Sequence, residues 1–144
     1  MSNKRLDILM VEDNPADVRL TREAFRECKV DNTLHVAKDG VEAMSFLRRQ
    51  DKHADAARPD LIFLDLNLPR KNGREVLVEI KSDPDLRRIP VVILTTSRSE
   101  TDISKCYDSY ANCYVVKPVD LDEFIQIIHS IENFWLTAVA YSPR

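Results

Sequence analysis

Leu6-Asp7-Ile8-Leu9-Met10-Val11-Glu12-Asp13-Asn14-Pro15 is an apolar run that stops at two adjacent carboxylates and a turn. A second run, Leu61-Ile62-Phe63-Leu64, stops at Asp65. Nearly continuous apolar runs suit strands covered on both faces, as in a parallel sheet sandwiched by helices. If these two are neighbouring strands, Glu12, Asp13 and Asp65 converge at one sheet edge. Carboxylates held that close repel, and each raises its neighbour's pKa. A divalent cation relieves the repulsion, and hard oxygen donors suit Mg²⁺. The pattern therefore predicts a metal-assisted phosphoryl site with Asp65 as the acceptor.

Outward from these runs, strand-like and helical stretches alternate, five of each. Asn14 is placed to cap a helix with Pro15 at its first position, and Val18, Thr21, Phe25 and Cys28 give that helix its inner face. Thr33 to Ala37 reads as the second strand. Asp39 opens a second helix carrying Val41, Met44 and Leu47, and 50–58 reads as a polar loop. Asn72-Gly73 opens the third helix, with Val76, Leu77 and Ile80 inward. Val91 to Thr95 is the fourth strand. Ser99 or Thr101 starts the fourth helix, with Ile103, Cys106 and Tyr107 on one side. Asn112 to Val116 is the fifth strand. Asp120 and Glu123 make a capping box for the fifth helix, whose apolar set is Leu121, Phe124, Ile125, Ile128 and Ile131.

This alternation predicts right-handed crossovers and a doubly wound α/β fold. Ligands in such folds sit outside the carboxyl ends of the strands. Glu12, Asp13, Asp65, Thr95 and Lys117 all fall at those ends or just past them.

Composition narrows the function. A chain of 144 residues reads as one domain, and 44% hydrophobic residues suffice for a core. The net charge of −3 provides no basic field for nucleic acid. Cys28, Cys106 and Cys113 are an odd set without ligand spacing, read as buried thiols in a reducing compartment. His35, His53 and His129 are scattered, which excludes zinc. The run after Met1-Ser2-Asn3-Lys4-Arg5 stops at Glu12, too short for a signal core or a membrane span. A cytoplasmic protein without membrane contact is expected.

The chemistry follows from the residue types. Asp13 and Asp65 are expected to bind Mg²⁺ directly with a backbone carbonyl near Asn67, and Glu12 through water, one ion per chain. Lys117 supplies a mobile point charge for a phosphate oxygen, and the Thr95 hydroxyl donates to another. The product is an acyl phosphate on Asp65.

Val11-Glu12-Asp13-Asn14, Leu64-Asp65-Leu66-Asn67-Leu68-Pro69, Asn72-Gly73, Leu94-Thr95-Thr96-Ser97 and Tyr114-Val115-Val116-Lys117-Pro118 together resemble the receiver domain of two-component response regulators. The resemblance covers about residues 6 to 133. It implies a flavodoxin-like five-stranded parallel sheet in the order 2-1-3-4-5 with five helices. It also implies Asp65 as phosphoacceptor, Glu12 and Asp13 as the acidic pair, Thr95 and Lys117 as switch hydroxyl and amine, and Tyr114 as switch aromatic. A cis Lys117-Pro118 bond is implied as well. Thr96 departs from the alanine of many receivers and narrows access to the phosphoryl pocket. Asp17-Val18-Arg19-Leu20, Leu66 through Gly73 and Phe134-Trp135-Leu136 are similar to the small response regulators paired with cyanobacterial phytochromes. That implies a sensor histidine kinase of phytochrome type as partner.

The signal is expected to pass by Thr95 swinging toward the phosphate and Tyr114 rotating inward, which changes the face of helix four, strand five and helix five. No helix-turn-helix fits after helix five, so the output is expected to be contact with a downstream protein. We divide the chain into a receiver at 1–133 and a tail at 134–144. Ile127, Phe134, Trp135 and Leu136 are the expected homodimer contacts. The chain is then a signalling switch, an enzyme only in phosphorylating itself and slowly losing the phosphate. The competing enzyme reading is an Mg²⁺-dependent aspartyl-phosphate phosphatase of haloacid dehalogenase type. That class needs an acid two residues past its nucleophile, where this chain has Asn67.

Overall fold

The computed structural model describes residues 5–143. Met1 to Lys4, most of the stretch read for a leader, and Arg144 at the tail's end lie outside the described residues. Five strands, β1 (Leu6–Val11), β2 (Asn32–Ala37), β3 (Leu61–Leu64), β4 (Val91–Thr95) and β5 (Cys113–Val116), alternate with five helices. These are α1 (Pro15–Arg26), α2 (Gly40–Leu47), α3 (Gly73–Ser82), α4 (Glu100–Asp108) and α5 (Leu121–Ile131). All strand pairs are parallel, in the order β2-β1-β3-β4-β5. This is the flavodoxin-like fold expected of the sequence.

The apolar runs are continuous because each strand feeds two cores. In β1, Leu6, Ile8 and Met10 join Phe25 of α1 and Phe124, Ile128 and Ile131 of α5. The alternate residues Leu9 and Val11 join Met44 of α2, Val76, Leu77 and Ile80 of α3 and Cys106 of α4. β3 divides in the same way, Leu61 and Phe63 against Ile62 and Leu64. The period of two in a strand thus sends successive side chains to opposite helical layers.

Helix starts follow their caps. Asn14 accepts from the Ala16 and Asp17 N–H groups, Asp39 from Glu42, and Ser99 from Asp102. The capping box lies on α3, where Asn72 and Glu75 bond reciprocally. On α5, Asp120 instead accepts from the Asp122 N–H, so the box expected with Glu123 does not form there. Three expected inner-face residues are exposed: Val41, Tyr107 and Leu121. On α2 the buried face runs through Ala43, Met44, Phe46 and Leu47. Tyr107 lies along the sheet edge, where its hydroxyl accepts the Tyr114 N–H at 3.2 Å. The 50–58 loop contains a 3-10 turn, Asp51–His53. All three cysteines are free thiols, with Cys106 buried and Cys28 and Cys113 half-buried. No peptide bond among the described residues is cis, so Lys117-Pro118 is trans. No helix among them is long and apolar enough to cross a membrane.

The boundary expected at residue 133 cuts through continuous helix. α5 runs directly into a π-helical segment, Glu132–Ala138. Its wider winding bonds residues five apart, which returns Leu136 to the side of Ile131. Leu136 is buried in the α1/α5 core, with Trp135 and Tyr141 packed against it. Tyr141 donates its hydroxyl proton to the Trp135 carbonyl. Leu136 therefore belongs to the core of its own chain rather than to a dimer contact, and Ile127 also packs on that core. Phe134 points outward, 56% exposed.

Leu136→Ala should lower the unfolding free energy by about 2–5 kcal/mol, whereas Phe134→Ala should change it by less than about 0.5 kcal/mol. Urea denaturation of the two variants checks this. Equal effects would mean that the tail is not packed as described.

Candidate functional site

Register brings the acids together. Val11 pairs with Leu64, so the next residues, Glu12 and Asp65, leave adjacent strands at the same level. The Asp65 N–H donates to the Val11 carbonyl at 3.1 Å. Glu12, Asp13 and Asp65 each present a carboxylate oxygen, and these lie within 4.8 Å of one another. Glu12 and Asp65 are buried and Asp13 is exposed, so the group opens to solvent on one side. All three donors are hard oxygens, which fits a Mg²⁺-class ion and not a soft metal. Asn67 is exposed, and its N–H donates to Asp65 Oδ1 at 3.2 Å, holding the loop backbone beside the cluster.

The start of α3 closes against this loop. A Cβ on Gly73 would lie 2.0 Å from the Asp65 carbonyl oxygen. Glycine is required there by close approach, which explains the Asn72-Gly73 pair.

Thr95 and Lys117 arrive from β4 and the end of β5. The Lys117 N–H donates to the Thr95 carbonyl at 2.7 Å, fixing the two side by side. The Lys117 ammonium, 5% exposed, hydrogen-bonds to Glu12 and reaches Asp17 Oδ2 at 2.9 Å and Asp65 Oδ2 at 3.4 Å. Burial pushes Glu12 up to about 7, against the opposing pull of Lys117. Burial also works against the Lys117 charge, but the hydrogen bond and charge of Glu12, followed by Asp17 and Asp65, outweigh it. The ammonium is therefore held above its ordinary range. It contacts three carboxylates, Glu12, Asp17 and Asp65, with Asp13 clustered beside Glu12 and Asp65, and one positive charge does not balance them.

The Thr95 hydroxyl is fully buried and has no hydrogen-bond partner among the described residues. A buried polar group without a partner costs free energy, so an acceptor that reached this oxygen would be bound with favourable effect. Thr96 is exposed. Tyr114 packs against the α2/α3/α4 core. Its hydroxyl donates to the Ser97 carbonyl at 3.0 Å, and Ser97 Oγ donates to Asp102 Oδ2 at 2.6 Å. Burial raises the Tyr114 pKa, partly offset by the Ser97 bond. The ring is half-buried against that core.

The structure brings Glu12, Asp13, Asp65 and Lys117 together at one edge with Thr95 alongside, and adds Asp17. Its signal in the sequence was an acid one helical turn after Asp13. Helical side chains tilt toward the N-terminus, so an acid in the first turn of α1 leans back toward the strand end. The dimer set does not form one outward surface, because Leu136 is buried.

The family model of the response regulator receiver domain matches residues 8–129. Response regulator Rcp1 of Synechocystis sp. is 48% identical over 138 residues, covering 96% of this chain and 94% of that protein. The solved Mn²⁺-bound form of Rcp1 superposes with a TM-score of 0.94 at 47% identity, over 95% of this chain and 99% of that one. The phosphorylated cyanobacterial phytochrome response regulator RcpA superposes with a TM-score of 0.93 at 50% identity, over 98% of this chain and all of that one (100%).

Thr95→Val keeps the shape and removes the unpaired hydroxyl. It should raise the unfolding free energy by about 1 kcal/mol, read by chemical denaturation. A loss of stability would show that the hydroxyl has a partner.

Proposed function

This chain belongs to the response regulator receiver domain family, and we propose that it is a phosphoryl-accepting switch with Asp65 as the acceptor. One observation carries the reading: three carboxylates, a buried lysine and an unpartnered threonine hydroxyl converge at the ends of four strands. The aspartyl-phosphate phosphatase alternative lacks its proton-transferring acid, since Asn67 stands in that position.

Glu12, Asp13, Asp65 and the Asn67 backbone carbonyl would hold one Mg²⁺, which when bound neutralises charge as an anionic phosphoryl group nears an anionic carboxylate. An Asp65 oxygen forms the new O–P bond as the P–N bond of a kinase phosphohistidine breaks. The electron pair leaves with the imidazole nitrogen. Lys117 turns one ammonium proton toward a phosphoryl oxygen, and the Thr95 hydroxyl gains its first acceptor. Slow hydrolysis reverses the state: water oxygen bonds to phosphorus and the Asp65 carboxylate departs.

Once Thr95 is drawn to the phosphoryl group, Tyr114 rotates inward into the space that it leaves. Phosphate then acts by shifting a population rather than creating a new shape. The affected face is α4, β5 and α5, where Tyr107, Tyr110, Leu121 and Phe134 expose apolar surface. The partners are a sensor histidine kinase of the phytochrome type in the cytoplasm, a second copy of the chain across this face, and a downstream protein. The likeness to Rcp1 and to phytochrome regulator RcpA supports the kinase assignment.

Incubation with acetyl phosphate and Mg²⁺ followed by intact-mass measurement should show one phosphoryl group per chain. Asp65→Asn should abolish it, and continued labelling would place the acceptor elsewhere. Phe134→Asp should lower the sedimentation coefficient of the assembled form by disrupting the self-pair, and an unchanged profile would move the contact off this face.

A further inference from the structure

Lys117 is held by one more carboxylate than phosphoryl transfer requires. Its Nζ is nearer to Asp17 Oδ2, at 2.9 Å, than to Asp65 Oδ2, at 3.4 Å. Unlike Glu12 and Asp65, Asp17 does not come from a strand end. It stands in the first turn of α1. Its N–H donates to the Asn14 cap at 3.3 Å, and its carbonyl accepts the Thr21 hydroxyl at 2.9 Å. The backbone is therefore fixed, and the carboxylate is mostly buried, 18% exposed.

An ammonium has three protons, and Glu12, Asp17 and Asp65 engage all three. A phosphoryl oxygen arriving at Asp65 needs one of them. We infer that Asp17 is a positioning residue that holds Lys117 back from the phosphoryl group and so slows phosphorylation of Asp65. The inference rests on the reading of Asp65 as acceptor. A carboxylate adds the attraction of a full negative charge for the ammonium to the hydrogen bond that a neutral amide oxygen could also accept, so it restrains the ammonium more than an amide would. The same contact ties α1 to the end of β5, and any movement of Lys117 is felt at the first turn of α1.

The test uses the full chain with acetyl phosphate and Mg²⁺, where the P–O bond to acetate breaks as Asp65 gains phosphorus. A small donor leaves any kinase contact out of the measurement. The initial labelling rate is read by intact mass. Asp17→Asn, which keeps the shape and removes the charge, should label about fivefold faster than the unaltered chain. Asp17→Glu, which restores a carboxylate, should bring back the slower rate.

A carboxylate also repels the phosphodonor directly, and the two routes separate in a double-mutant cycle. In a Lys117→Gln background, compared over a longer incubation, Asp17→Asn should no longer accelerate labelling. If the unaltered chain is labelled but Asp17→Asn is equal or slower, the assignment of Asp17 is overturned and the receiver reading stands. Acceleration that persists in full without Lys117 overturns the assignment as well. If the unaltered chain takes no phosphate, both readings fall together.

Discussion

One ammonium buried among carboxylates organises this end of the molecule. Lys117 comes from the end of β5, Glu12 from the end of β1, Asp17 from α1 and Asp65 from the end of β3. An ion pair out of water is costly unless its geometry is good and its hydrogen bonds are complete. Here the lysine directs all its protons to three acids, which offsets burial on its side. The acids remain in excess, and Glu12 has its pKa raised chiefly by burial, with the Asp65 charge adding less. The site is built with a shortage of positive charge beside an open, solvent-facing aspartate. That shortage suits it to a divalent cation and makes it unsuited to bind phosphate by itself.

The rest of the site stores a second imbalance. Thr95 sits at the end of a fully buried strand with its hydroxyl unpartnered among the described residues. Next to it, Tyr114 is anchored through Ser97 to Asp102 of α4, and its backbone N–H is anchored to Tyr107 of the same helix. β5, which pairs with β4, is thus tied to α4 by both the side chain and the backbone of Tyr114.

Features set by local chemistry were legible in the chain. Asn14, Asp39, Asn72 and Ser99 cap helices where their short polar side chains reach free N–H groups. Unbroken apolar runs announced strands buried on both faces. What misled was any inference from helical phase near a helix end. Val41, Tyr107 and Leu121 have the right spacing for an inner face, yet each stands in the first or last two residues of its helix and is exposed. Leu136 was read with the apolar tail as a dimer contact, and the π-helical segment Glu132–Ala138 instead carries it into the core. Asp17 was visible as a first-turn acid, but its partner stands 100 residues away.

The sequence by itself determined the order of elements, the parallel sheet and the residue types at each strand end, because period, caps and strand-end polarity are local properties. Only the tertiary structure decided which of those polar groups touch. Strand register set Glu12 beside Asp65, the placement of the first turn of α1 set Asp17 beside Lys117, and the winding after α5 buried Leu136. These outcomes depend on distances between segments far apart in the chain, and no short window of residues encodes a distance of that kind.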